Sequence, residues 1–181
     1  NISAPSQISG SYTSVSAGLS HLMALDTLGK LYTWGTDTAG TLGQPRTATS
    51  WVTGYLGGMQ TTGQGNFSGL IDSNNNLWTW GVLGALGNLD ILGTTVSRSS
   101  PVQVATGVTS YMIGIQSLTG GGGAGFAAII KTNNTLYAWG TTGYLMGQND
   151  TISRSSPVQI PGSWSQIVGG VQNMYGIKTD G

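Results

Sequence analysis

The sequence has no cysteine and no glutamate, a single histidine, and only six basic and six acidic residues among 181. Without cysteine there are no disulfides and no thiolate chemistry, and nothing that reports a redox compartment. A formal charge of zero offers no field for holding a polyphosphate, which argues against nucleic-acid binding. Long apolar runs are missing too: none approaches the ~20 residues a spanning helix needs, so no membrane role is expected. Glycine is abundant, at 31 residues more than double the usual ~7%, but it follows no triplet period, which excludes collagen. Six Trp, seven Tyr and a 38% hydrophobic share can bury a core, which argues against disorder. With Lys and Arg scarce and Thr, Ser, Asn and Gly plentiful, the composition points to an all-β chain with many turns.

The chain repeats itself. Leu31-Tyr32-Thr33-Trp34-Gly35 returns as Leu77-Trp78-Thr79-Trp80-Gly81 and as Leu136-Tyr137-Ala138-Trp139-Gly140, a period of about 50 residues with insertions. A second anchor, Arg98-Ser99-Ser100-Pro101-Val102-Gln103, recurs as Arg154-Ser155-Ser156-Pro157-Val158-Gln159, with an echo at Ser3-Ala4-Pro5-Ser6-Gln7. Thr49-Ser50-Trp51-Val52 fills that slot in the second unit, Trp51 replacing proline. The units read as 1–9 (a partial last strand), 10–53, 54–105, 106–161 and a partial 162–181. The first opens on Asn1 rather than Met and the last stops inside a hairpin turn, as in a fragment or a processed product. His21 to Asp26 reads as a strand, Thr27-Leu28-Gly29 as a turn and Lys30 to Gly35 as the returning strand; Asp72 to Asn76 and Lys131 to Thr135 are the matching turns. Tyr32 and Trp34 share one face and Leu31 and Thr33 the other, as in a sheet held between neighbouring sheets.

The first unit runs Tyr12-x2-Val15-x-Ala17-Gly18-x2-His21-x2-Ala24-Leu25-x3-Gly29-x-Leu31-Tyr32-x-Trp34-Gly35-x4-Gly40-x-Leu42-Gly43. This resembles the repeat of the regulator of chromosome condensation family. The resemblance implies an all-β propeller with blades of four antiparallel strands, here about three complete units plus partial ones of a usually seven-bladed ring. Phe67, Phe126 and Asn173 take the His21 slot in later units, and the glycine-rich run 120–125 replaces much of the third opening strand. Trp34, Trp80, Trp139, Gly35, Gly81, Gly140, Pro101 and Pro157 are the expected structural anchors.

Catalytic chemistry is not visible. Asp26 and Asp72 share a turn slot with Lys131 and Lys178, which reads as solvated turn, and Asp37, Asp90 and Asp150 are spread one per unit. His21 lacks the partners of a triad or a zinc site. The glycine run is followed by no Gly-Lys-Ser/Thr and leads into a strand, unlike a phosphate loop. Arg98 and Arg154 read as loop arginines bonding local carbonyls. No catalytic residue, metal or cofactor is expected; sequons at Asn1, Asn66, Asn133 and Asn149 admit a surface glycan but are common by chance in such a composition. The expected function is that of a non-enzymatic structural or protein-interaction propeller in a larger assembly. Charge-poor β repeats of this kind resemble bacteriophage virion components of the decoration, neck or tail-fibre type, so the expected setting is a virion or another extracellular one. Loop-borne aromatics such as Trp51, Tyr55 and Tyr144 are the candidate contacts. The alternative is a secreted enzyme inhibitor or carbohydrate-binding module. Guanine-nucleotide exchange, the activity of the family's namesake, ranks last because no basic tail or acidic cluster is present.

Overall fold

The computed structural model describes residues 7–17, 21–35, 51–57, 67–81, 98–115, 125–140, 147–169 and 173–181. The regular elements among these are all strands: β1 (Tyr12–Ala17), β2 (His21–Asp26), β3 (Leu31–Gly35), β4 (Trp51–Gly57), β5 (Phe67–Asp72), β6 (Leu77–Gly81), β7 (Arg98–Ala105), β8 (Val108–Ile115), β9 (Gly125–Lys131), β10 (Leu136–Gly140), β11 (Arg154–Ile160), β12 (Trp164–Gly169) and β13 (Met174–Lys178). They form four antiparallel sheets in chain order: β1-β2-β3, β4-β5-β6-β7, β8-β9-β10-β11 and β12-β13.

The hairpin turns set this pattern. Gly29, Asn75 and Asn134 occupy the same turn position with φ of 74°, 61° and 63°, a left-handed conformation that Gly and Asn reach most easily. Two of these turns also join successive sheets. The Asn75 carbonyl accepts a 2.8 Å hydrogen bond from Val108 N–H, and the Asn134 carbonyl accepts one of 2.8 Å from Trp164 N–H. Each donor is the first residue of the next sheet's opening strand.

Two local readings change. The third opening strand is β8, complete over Val108–Ile115; the glycine run does not replace it, because Gly125 already belongs to β9. Residues 120–124 lie outside the described residues. Trp51 pairs with Asp72, as Tyr12 does with Asp26, Val108 with Lys131 and Trp164 with Lys178. It therefore heads an opening strand and does not fill the proline slot; Thr49 and Ser50, which suggested that slot, lie outside the described residues.

Candidate functional site

Strand registers show which residues share a face. In the first sheet Val15 pairs with Ala24 and Ala24 with Tyr32, so these three lie on one face, the front. An irregularity between Tyr12 and Ser14 lets Tyr12 join them, edge-on to Tyr32 and Trp34 at 5.8 and 6.2 Å between ring centroids. The opposite, back face carries Met23, Leu25 and Leu31, buried with Leu70 and Trp80 of the second sheet. The second sheet's back, Ile71 and Leu77, is buried with Tyr111, Ile129 and Trp139 of the third. The third sheet's back, with Met112, Phe126, Ala128 and Ile130, is buried with Ile167 of the fourth, next to half-buried Trp164 and Met174. The same back-to-front contact is thus built at each junction. Burying a Leu, Ile or Met side chain contributes about 1.5–3 kcal/mol, so these junctions carry the core.

One face of each kind is left without a partner sheet among the described residues. At the front of the first sheet, Val15 is 61% exposed, whereas its register equivalents Tyr111 and Ile167 are 8% and 6% exposed. At the back of the fourth, Val168, Tyr175 and Ile177 are 62%, 63% and 52% exposed, whereas Met112, Ala128 and Ile130 in the same positions are at 2% or less.

The titratable groups do something else. Asp72 is buried at 2% exposure, which corrects the solvated-turn reading for that residue. Its Oδ1 accepts from the Asn74 and Asn76 amides, each at 2.9 Å, and its Oδ2 accepts from Asn76 Nδ2 at 3.0 Å and Trp78 Nε1 at 2.9 Å. Burial alone would raise its pKa, but these four donors outweigh it and hold the carboxyl below the ordinary carboxylate range. Half-buried Asp26 does the same job with fewer donors, chiefly the Lys30 amide. Asp150 is held low first by Arg154, which bonds it at 2.7 Å and also reaches the Ile152 carbonyl. Both are local latches. Among the described residues no three His, Asp or Glu side chains gather into a metal-binding group.

The sequence-identified residues are distributed as follows. Trp34, Trp80 and Trp139 pair with Leu22, Ser68 and Ala127, the same ladder rung in three sheets. Trp80 and Trp139 are buried at junctions, and Trp34 is half-buried on the open front face. Gly35 and Gly140 have φ of 112° and 145°. At Gly140 a Cβ would also strike the Gly125 carbonyl and the Phe126 backbone. Gly81 pairs with Phe67 in the rung where Gly35 pairs with His21. Pro101 and Pro157 are half-buried on β7 and β11, strands at one edge of each sheet, where the missing N–H is tolerated. Trp51 and Tyr55 are borne by β4 and not by a loop. Tyr144, Asp37, Asp90, Asn1 and Asn66 lie outside the described residues. Asn133 and Asn149 are exposed.

Stacked, repeat-built antiparallel sheets of up to four strands define a partial β-propeller. Residues 12–41 match the family model of the Regulator of chromosome condensation (RCC1) repeat. The crystal structure of human WBSCR16 is similar with a TM-score of 0.67 at 14% identity, over 96% of this chain and 47% of that one. Prp20p from Saccharomyces cerevisiae is similar with a TM-score of 0.62 at 15% identity, over 92% of this chain and 44% of that one. Yeast RCC1 (Prp20) bound to Kap60 gives 0.59 at 13% identity, over 98% and 44%. The chain therefore has the fold of RCC1-like propellers and spans about half the length of these structures. No curated protein matches its sequence.

Proposed function

We propose that the protein acts by protein contact, as a non-enzymatic structural or interaction propeller without an active site of its own. The observation that carries this reading is the repeat itself: sheets of one register are stacked through the same back-to-front junction, and no acids gather into a site among the described residues. With only 7% charged residues, such contacts rest on shape, hydrogen bonds and aromatics and not on electrostatic steering. Asp26, Asp72 and Asp150 are each bonded within their own turn, which supports the non-enzymatic reading. The setting we propose is a virion or another extracellular particle, on the analogy of its neutral, Thr/Ser/Gly/Asn-rich composition with decoration, neck and tail-fibre proteins.

The test is a structure of the protein within the particle or complex it comes from. The protein should bury well over ~1,000 Å² against neighbouring chains. A free-standing, closed propeller with no substantial neighbour overturns the reading.

A further inference from the structure

We infer that the junction between the second and third sheets binds one internal water, held by Thr79 Oγ1 from one side and by Trp139 Nε1 from the other. This goes beyond the protein-contact reading and does not depend on it. Both sheets have all four strands, and the junction lies between them.

Two buried polar groups lead to it. Thr79 is 2% exposed and Trp139 is fully buried. Neither the Thr79 hydroxyl nor the Trp139 indole N–H has a hydrogen-bond partner among the described residues. Removing such groups from water without a replacement is costly, so buried hydroxyls and indoles bond to protein or to ordered water. The two groups enter the junction from opposite sides. On β6, Trp80 faces the first sheet, so alternation turns Thr79 to the back, beside Leu77. Trp139 lies on the front of the third sheet, in the cluster that includes Leu77 and Tyr111. Gly69, the register partner of Thr79, brings the second sheet so near the Tyr111 ring that a Cβ would sit 2.6 Å from it. Thr79 is therefore on a rung where the two sheets meet. Ala127, the register partner of Trp139, is fully buried and takes up little room beside the indole.

Water fits this pair of groups. An indole N–H only donates, whereas a threonine hydroxyl both donates and accepts. A water accepts from Trp139 and donates to Thr79, which gives it the two polar partners that an internal water needs. An ion does not fit. Among the described residues the only buried charged side chain is Asp72, and it is bonded within its own turn. The repeat shows how the other junctions differ. The Thr79 slot holds Thr33 in the first sheet, where it is half-buried, and Ala138 in the third, which has no hydroxyl. Among the described junctions, this one sets a buried hydroxyl opposite a buried indole.

The experiment is a crystal structure of the protein at a resolution that shows ordered water, with Thr79→Val and Thr79→Ser beside it. One water should lie within about 3.2 Å of both Thr79 Oγ1 and Trp139 Nε1. Thr79→Val keeps the side-chain shape without the hydroxyl and should lose that water, while Thr79→Ser keeps the hydroxyl and should retain it. A dry junction, two waters that each touch one group, or a direct protein partner for either group would overturn the inference. So would a water that persists in Thr79→Val. Nuclear magnetic resonance on the unmodified protein gives a reading that needs no variant to crystallise. The indole N–H of Trp139, assigned from its absence in Trp139→Phe or from sequential connectivities, should show cross-relaxation with a long-lived bound water. Its absence from the unmodified protein overturns the inference as well.

Discussion

The third and fourth sheets carry apolar residues in the same back-face register and live in opposite surroundings. Ile130 and Ile177 both lie one rung from the hairpin turn, and Met112 and Val168 both face backwards from the opening strand. The first of each pair is sealed by a following sheet; the second is more than half exposed. Within a strand, side-chain alternation decides which face a residue joins, but the arrival of the next sheet decides whether that face becomes core. A repeat protein of this kind gains much of its stability at junctions between units, so identical side chains differ in worth according to their neighbour.

Truncating one side chain in each of the two surroundings should give unequal losses of stability. Trp139, fully buried between the second and third sheets, should cost ~3–5 kcal/mol as Trp139→Ala. Tyr175→Ala should stay within about 0.5 kcal/mol when unfolding is followed at a concentration where the chain is monomeric. Equal costs from denaturant titrations would mean that the fourth sheet's back face is covered in solution.

The next effect concerns backbone and not burial. Gly140→Ala forces a Cβ into a φ of 145° and onto the Gly125 carbonyl, where backbone must move. A loss of about 2–3 kcal/mol is expected, more than for a typical surface change. Gly69 tests a different constraint. Its φ is ordinary, yet a Cβ there would sit 2.6 Å from the Tyr111 ring of the next sheet. Gly69→Ala should therefore cost less than Gly140→Ala, and Tyr111→Leu, which takes the ring away, should partly rescue it.

Much of this architecture was legible in the residues themselves. The strand His21–Asp26 and its returning partner follow from alternation and from Gly29, and the Trp-Gly recurrence marks the same rung in three sheets. The open faces were not legible, because Ile177 and Ile130 are the same residue in the same slot and only a neighbour distinguishes them. The burial of Asp72 was hidden for a related reason: its slot also holds Asp26, Lys131 and Lys178, and a position accepting either sign reads as solvent. The missed signal was local, in Asn74, Asn76 and Trp78, the donors that make one buried carboxylate tolerable. Trp51 was misplaced because Thr49-Ser50 imitates the Ser-Ser that precedes Pro101 and Pro157, while strand pairing follows the residues after it.

Those two aspartates repeat the covered-against-open contrast in miniature. Asp72→Ala takes the acceptor from the Trp78 indole N–H and the amides of Asn74 and Asn76 in a partly buried turn, a loss of about 1–3 kcal/mol. Asp26→Ala exposes the equivalent turn amides to water, which can replace the carboxylate, so its thermal midpoint should fall by clearly less. Matching shifts in thermal unfolding would show that coverage by a neighbouring sheet does not set the worth of this turn.

The smallest effect is the pH dependence of that same carboxylate. Asp72 is held below its ordinary value of 3.8 in the folded chain, so the folded state binds its proton less readily than the unfolded state. For a depressed carboxylate, the stabilisation is fully present above the unfolded value and is lost as pH falls through the folded one. Stability should therefore be flat in this contribution from neutral pH down to about 5, then decline toward and below pH 3.8. Asp72→Asn removes the titration while keeping the shape, although its amide nitrogen offers a donor where an acceptor stood. Thermal midpoints of the two proteins should be well separated at neutral pH and converge in strong acid. Asp26 and Asp150 are depressed in the same direction and remain in both proteins, so their contribution cancels in the difference. Curves that stay parallel into strong acid would mean that the donors around Asp72 stabilise its shape and not its charge.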